Sequence, residues 1–230
     1  MLCGVCSNLV PGRFLSLGVC SVCQDQFDKL AHERKIYVHG EPVYAGYTYQ
    51  ELVRELILRA KVKNSAVALG LLIELLKQRL PKKFFDLNTS DCLVIAAPSS
   101  LRSRLFGRFD VAQAVALSLF PAAKRLHSLL PGSFIRRKRA GRNHRGKTEA
   151  FADPLPLGEK ALKLFNRLSP KFIKTIDIRD QITSTQCILV VDDVLTTGFT
   201  MGTLFDQLKM LGAQRVEGLV VAAAQEAEAD

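Results

Sequence analysis

Residues 187–200 read CILVVDDVLTTGFT, and this stretch decides the fold. It opens on five apolar residues, Cys187 to Val191, a continuous run of the kind a strand needs when helices cover both of its faces. The chain then passes two adjacent carboxylates, Asp192 and Asp193. It turns at Thr196, Thr197 and Gly198 into a segment with Met201, Leu204, Phe205, Leu208 and Leu211 at helical spacing, stopped at Gly212. Strand, turn and helix in that order form the repeating unit of a parallel α/β sheet.

Working outward, the same alternation recurs. Residues 216–223 supply a further strand. Upstream, residues 92–97 (CLVIAA) form a second short apolar run halted by Pro98, consistent with a central strand. Val111, Ala112, Val115, Ala116 and Leu119 mark the helix after it, closed by Pro121. Leu52, Val53, Leu56, Ile57 and Ala60 mark an earlier helix, which follows an extended or turn-like stretch at 44–49. Residues 66–80 are apolar on most sides and predict a buried helix ended by Pro81. Phe134-Ile135 is expected to begin a strand, and a helix is expected at 161–168 within a mixed region, 154–186. The fold class is therefore α/β, a parallel sheet with helices on both faces.

Four of the six cysteines lie in the first 23 residues, as Cys3-x2-Cys6 and Cys20-x2-Cys23. Each pair places two thiolates on one tight turn, and two such knuckles close a tetrahedral Zn²⁺ site with no open position. The spacer from Ser7 to Val19 has room for a hairpin turned by Pro11-Gly12. Disulfides are the competing explanation, but nothing in the sequence points to export, and the cytosol is reducing. Such a site stabilises a small lobe and performs no chemistry. The expected organisation is a zinc-binding lobe at 1–36 and a larger domain at 37–230. His32 and His39 read as surface residues of the connector, Cys92 and Cys187 as core.

The 230 residues are 48% apolar and 23% charged, which excludes a disordered or fibrous chain. No secretory signal and no apolar run of about 20 residues is present, so a soluble, cytoplasmic protein is expected. Net charge is +10, and its placement tells more than its size. Residues 101–148 hold twelve Lys/Arg against the single acid Asp110, while the rest of the chain is close to neutral. That segregation points to a polyanion, either a pyrophosphate-bearing ligand or nucleic acid.

The turn after the 187–195 run carries the chemistry. In an open α/β sheet, ligands bind beyond the carboxyl ends of the strands, where these residues fall. A helix N-terminus presents unpaired N–H groups, Gly198 permits close approach, and Thr196, Thr197 and Thr200 add hydroxyls, so the turn suits a phosphate monoester. Two carboxylates beside a phosphate repel it unless they serve another part of the ligand. Vicinal hydroxyls meet that need, because they donate hydrogen bonds that carboxylates accept. A sugar phosphate with two free hydroxyls satisfies both halves.

At these residues VVDDVLTTGFT resembles the phosphoribosyl pyrophosphate (PRPP) signature of type I phosphoribosyltransferases. The wider order is a four-cysteine knuckle, a Tyr-Gly stretch with a lysine after its helix, a strand ending in Pro, an arginine-rich turn and then the signature. That order resembles the ComF (competence protein F) family. The resemblance implies that Asp192 and Asp193 bind the ribose hydroxyls and that Thr196, Thr197, Gly198 and Thr200 hold the 5′-phosphate. It also implies that Arg102, Arg104 and Arg108, after Pro98, Ser99 and Ser100, face pyrophosphate together with Lys61 (or Lys63). Guanidinium forks match phosphate oxygens, so the arginines are reasonable on charge alone. Residues 136–151 (RRKRAGRNHRGKTEAF) occupy the place of a mobile basic loop, where the family usually has glutamine and asparagine landmarks; here only Arg142, Asn143 and Ala150-Phe151 resemble them. The PRPP half of the site is thus matched, and the acceptor half is not.

Two functions follow. In the first, the protein binds PRPP with Mg²⁺ and transfers phosphoribosyl to a base-like acceptor, through an oxocarbenium-like sugar that requires no protein nucleophile. No general acid or base stands out: His144 lies in the basic loop and reads as solvated, and His127 reads as structural. In the second, a non-catalytic competence factor binds single-stranded DNA through 101–148. Sequence-tolerant binding of that kind usually adds aromatic platforms, and there is no Trp here, with Phe106, Phe109, Phe120 and Phe134 alone near the basic residues.

Overall fold

A computed structural model describes residues 2–9, 15–16, 18–31, 35–84, 92–97, 109–121, 124–125 and 182–224. At its centre the 187–191 run extends into a nine-residue strand, β7 (Cys187–Leu195), whose first five residues are buried. Around it lies a six-stranded sheet in the order β3-β4-β8-β7-β5-β6. The other members are β3 (Lys35–Val38), β4 (Glu41–Thr48), β5 (Cys92–Ala96), β6 (Lys124–Arg125) and β8 (Val216–Ala223). All neighbours pair in parallel except β3 and β4, which form an antiparallel hairpin with Val38 opposite Glu41. Both residues of its two-residue turn have positive φ, His39 at 49° and Gly40 at 79°. That conformation matches the right-handed twist of the flanking strands.

The direction of the connections fixes where each helix lies. From β4 the chain passes α2 (Glu51–Val62) and α3 (Ala66–Arg79) to β5, and from β5 it passes α4 (Val111–Leu119) to β6. Both steps run toward the β6 edge. From β7 it passes α5 (Phe199–Met210) to β8, in the opposite direction. Crossovers between parallel strands are right-handed, so oppositely directed steps put their helices on opposite faces. The core divides accordingly. Val53, Leu56, Leu72, Leu76 and Val115 pack with Leu189 and Val191 on one face, and Met201, Leu204, Phe205 and Leu208 pack with Ile188 and Val190 on the other. Connections diverge between β5 and β7, and the crevice at that divergence is where open α/β sheets bind ligands.

The N-terminal segment is built into the first of these cores. An antiparallel bridge joins Leu2 to Leu9, and β1 (Leu15–Ser16) pairs with β2 (Val19–Cys20) before α1 (Ser21–Lys29). The turn expected at Pro11-Gly12 lies outside the described residues; strands β1 and β2 pair with Ser16 opposite Val19, and Gly18 has φ 77°. Only glycine adopts that conformation without strain. Cys3, Val5, Val19, Cys20, Cys23 and Phe27 belong to the same apolar cluster as α2 and α3. Phe27 meets the Tyr47 ring edge-on, and the Tyr47 hydroxyl donates to the Leu75 carbonyl at 3.0 Å. The expected division at 36/37 falls inside β3. The strand at 134 and the helix at 161–168 lie outside the described residues.

Candidate functional site

Alternation along β7 aims the two carboxylates differently. Leu189 and Val191 face α2–α4, and Asp193 has the same parity. Its carboxylate meets the Lys61 ammonium of α2 in an ion pair. Helix α2 starts beside the end of β8, where the Tyr49 N–H donates to the Ala223 carbonyl at 2.6 Å, and its last turn reaches β7. Asn64, in the α2–α3 corner, accepts from the Phe109 N–H at 2.9 Å and ties that corner to the start of α4. Of the two lysines expected near the site, Lys61 is therefore the one brought to it, and Lys63 is exposed at the helix end.

Asp192 has the opposite parity and is half-buried. Its Oδ1 accepts the Asp193 N–H at 2.8 Å. Burial pushes its carboxyl up to about 7, and repulsion from Asp193 adds to the rise; the Asp193 N–H and Lys61 oppose it, and Asp110 works with Asp193. Asp110 caps α4, accepting the Gln113 N–H at 3.0 Å. A carboxylate pair and one ammonium thus meet at the carboxyl edge of the sheet, and Asp110 is a third acidic group whose charge acts on Asp192. Sequence reasoning missed Asp110 as a neighbour of the site, because only the packing of α4 beside β7 brings them together.

Immediately after β7 the chain bends through 196–198 and enters α5. Gly198 caps the helix in the left-handed conformation, φ 70° and ψ −9°, and no side chain caps the helix N-terminus. A Cβ at Gly198 would lie 3.3 Å from Val38 of β3, so the hairpin packs closely against this turn. The Gly202 N–H donates to the Gly198 carbonyl at 2.7 Å, and the preceding N–H groups of the first turn have no intrahelical acceptor. Thr196 and Thr197 are exposed, and Thr200 is half-buried. On the other side of the turn, the Leu195 carbonyl accepts from the Ala224 N–H at 2.8 Å. His39, at the tip of the β3–β4 hairpin, lies over Gly202 and hydrogen-bonds Asp206 at 2.9 Å. It is thus a surface residue that pins the hairpin to α5.

Asp192, Asp193, Lys61, Thr196, Thr197, Gly198 and Thr200 are therefore neighbours along one edge. Arg102, Arg104 and Arg108, with 98–100 and the basic loop at 136–147, lie outside the described residues, as do His32, His127 and His144.

The second constellation is the cysteine lobe. The sulfur atoms of Cys3, Cys6, Cys20 and Cys23 all lie within 4.8 Å of one another, close enough to hold one metal ion. None is in a disulfide, and Cys6 and Cys20 are 3.8 Å apart. A tetrahedron with metal–sulfur bonds of about 2.3 Å has an edge of about 3.8 Å, so the spacing fits a structural zinc ion. Burial works to raise the Cys3 thiol, but N–H groups of Cys20, Cys6 and Val5 aim at its sulfur and together lower it to about 6. Cys23, buried and surrounded by the other thiols, is pushed up. Arg59 of α2 donates to the Val5 carbonyl between the first two cysteines at 2.9 Å and to Glu55 at 2.9 Å. Cys92 and Cys187 are buried neighbours across β5 and β7, as core residues should be.

Among the described residues, no helix is long and apolar enough to cross a membrane. A scan of protein-family models and a search of curated proteins gave no match to the chain. The chemistry therefore rests on the site itself.

Proposed function

We propose that the chain is a ComF-like protein of the phosphoribosyltransferase fold, cytoplasmic, that binds PRPP at the carboxyl edge of its sheet and structural Zn²⁺ in its cysteine lobe. The observation that carries this reading is one juxtaposition. A carboxylate pair sits at the divergence point between β5 and β7, and the next turn of chain is a left-handed glycine leading into an uncapped helix N-terminus. Ribose 2′- and 3′-hydroxyls donate to Asp192 and Asp193. The 5′-phosphate takes the N–H groups of the α5 first turn and the hydroxyls of Thr196, Thr197 and Thr200, where the helix dipole favours an anion. Arg102, Arg104 and Arg108 are the residues for the pyrophosphate.

Mg²⁺, when bound with PRPP, neutralises pyrophosphate charge and makes it a better leaving group. The chain's own work is to hold the ribose by its diol and 5′-phosphate, leaving the anomeric carbon between them and the pyrophosphate. In transfer, the bond from that carbon to pyrophosphate breaks and a bond to an acceptor nitrogen forms, with the sugar cationic between the two events. The negative edge formed by Asp192 and Asp193 stabilises that positive charge.

The test is calorimetric titration of PRPP with and without Mg²⁺ into the protein and into Asp192→Asn/Asp193→Asn. Mg²⁺-dependent binding lost in the double variant is expected. Equal binding by both proteins would remove the carboxylates from the site.

The segregated charge of 101–148 favours a second reading, single-stranded DNA binding in DNA uptake. Phosphate-dominated affinity falls steeply between low and physiological salt. Neutralising Arg136, Arg137, Lys138 and Arg139 should remove that dependence; affinity untouched by the change would sink the reading.

A further inference from the structure

We propose that His39 is a positioning residue for the anion-binding turn: its ring, seated in the space left by Gly202, clamps the β3–β4 hairpin across the first turn of α5. This rests on the PRPP reading above and names what keeps the 5′-phosphate cradle in shape. Gly202 sits inside α5 with ordinary helical backbone, so no left-handed conformation calls for a glycine there. A glycine at such a position costs about fivefold in the folding equilibrium relative to alanine. Here it leaves room. A Cβ at Gly202 would meet Nε2, Cε1 and Cδ2 of the His39 ring at 2.7, 2.8 and 2.9 Å, too close for both to stay in place.

His39 departs from local preference as well. At φ 49° it fills the first place of a two-residue hairpin turn, where asparagine is the usual residue. Two local preferences are thus set aside at one contact, as happens where function fixes the residues. Stability does not account for it. The bond from His39 Nδ1 to Asp206 joins side chains that are 52% and 58% exposed, and pairs so open to water contribute little. The geometry does account for it. Val38 and His39 are consecutive, and they meet Gly198 and Gly202, the two ends of the first helical turn. The Gly202 N–H closes that turn on the Gly198 carbonyl, and no side chain caps it from within. The hairpin therefore supplies from outside the hold that a capping side chain supplies in other helices. N–H groups held in place before phosphate arrives bind it without the cost of ordering them.

The experiment reads two quantities on the full chain: protection of the residue 202 N–H by NMR hydrogen exchange, and affinity for PRPP with Mg²⁺ by calorimetry. His39→Asn keeps the turn and a donor toward Asp206 but removes the ring, and Gly202→Ala pushes the ring out. Each should lower the protection and weaken PRPP about fivefold, the scale set by a mid-helix glycine. The melting midpoint of His39→Asn should not fall, because asparagine suits the turn. Combining the two changes should cost no more than the larger single loss, since both break one contact. Glu41→Gln, which breaks the hairpin's other tie to α5 at Lys209, should change neither quantity. Unchanged protection or affinity in His39→Asn, additive losses, or an equal loss in Glu41→Gln overturns the positioning role. Where PRPP binds the wild type and not the Asp192→Asn/Asp193→Asn protein, but His39→Asn binds it as well as the wild type does, the role of His39 fails and the PRPP reading stands. Where PRPP does not bind the wild type, the PRPP reading fails and takes the role of His39 with it.

Discussion

Above about pH 4 the unfolded chain has lost the Asp192 proton, whereas the folded protein keeps it until about pH 7 because burial and Asp193 disfavour the charge. The folded state therefore binds more protons over that window, and stability falls as pH rises through it. Replacing Asp192 with Asn removes the cost. At pH 8, Asp192→Asn should be more stable by on the order of 2 kcal/mol, or about 5 °C in thermal midpoint, with the gain shrinking toward pH 4. Scanning calorimetry at several pH values checks this, and a gain independent of pH would refute it. The same residue should govern ligand binding, since a protonated carboxyl is a poorer acceptor for a ribose hydroxyl. Lys61 behaves in the opposite sense. Its loss leaves the nearly buried Asp193 carboxylate without its cation, so Lys61→Met should cost about 1–3 kcal/mol in urea denaturation. Adding Asp193→Asn to that variant should recover most of the loss, and a double-mutant cycle showing no coupling would mean that the ion pair carries no stability.

At the scale of elements, the turn between β7 and α5 depends on Gly198 for two separate reasons, its left-handed backbone and the 3.3 Å approach of Val38. Gly198→Ala should cost about 1–2 kcal/mol, and Gly198→Asn less, because Asn tolerates that conformation while meeting Val38 in the same way. Equal losses in the two variants would assign the whole effect to the hairpin contact. Elements whose signal lies in their own sequence were legible. The strand at 216–223 is found with those bounds, and the helices around Leu56, Leu72, Val115 and Leu204 follow their apolar periodicity. Strands β3 and β6 and helix α1 were not legible. Strand β3 shows Lys35 and Tyr37 outward and Ile36 and Val38 inward, a pattern only four residues long, and its turn uses His-Gly where Asn-Gly is the usual signal. Helix α1 buries only Cys23 and Phe27, and one of those two anchors already read as a metal ligand. At the site, sequence order alone made the carboxylates and the turn legible. The choice of Lys61 over Lys63 depended on which side of α2 meets β7, a matter of packing between distant segments.

Across the whole molecule, the cysteine lobe is coupled to the sheet, although its cysteine spacing suggested a separate unit. Cys3, Val5, Cys20, Cys23 and Phe27 share one apolar cluster with α2, α3 and the α2–α4 face of the sheet, and Arg59 holds Val5 to α2. Four thiols converge within 4.8 Å. Without a cation, deprotonating more than one of them places like charges together in a partly dry site, so the lobe cannot keep this geometry with several thiolates. Loss of the proposed zinc should therefore loosen the packing of α2, and with it the helix that presents Lys61 to Asp193. Purified protein should hold one zinc per chain by elemental analysis, held by the four-cysteine set found among the described residues. Stripping the metal with a strong chelator should move one cooperative melting transition down by on the order of 10 °C, because binding energy at a structural site is folding energy. A separate low-temperature transition for the lobe, with the main one unmoved, would show that the shared core does not couple them. An unchanged midpoint after verified metal removal would deny the site any structural role.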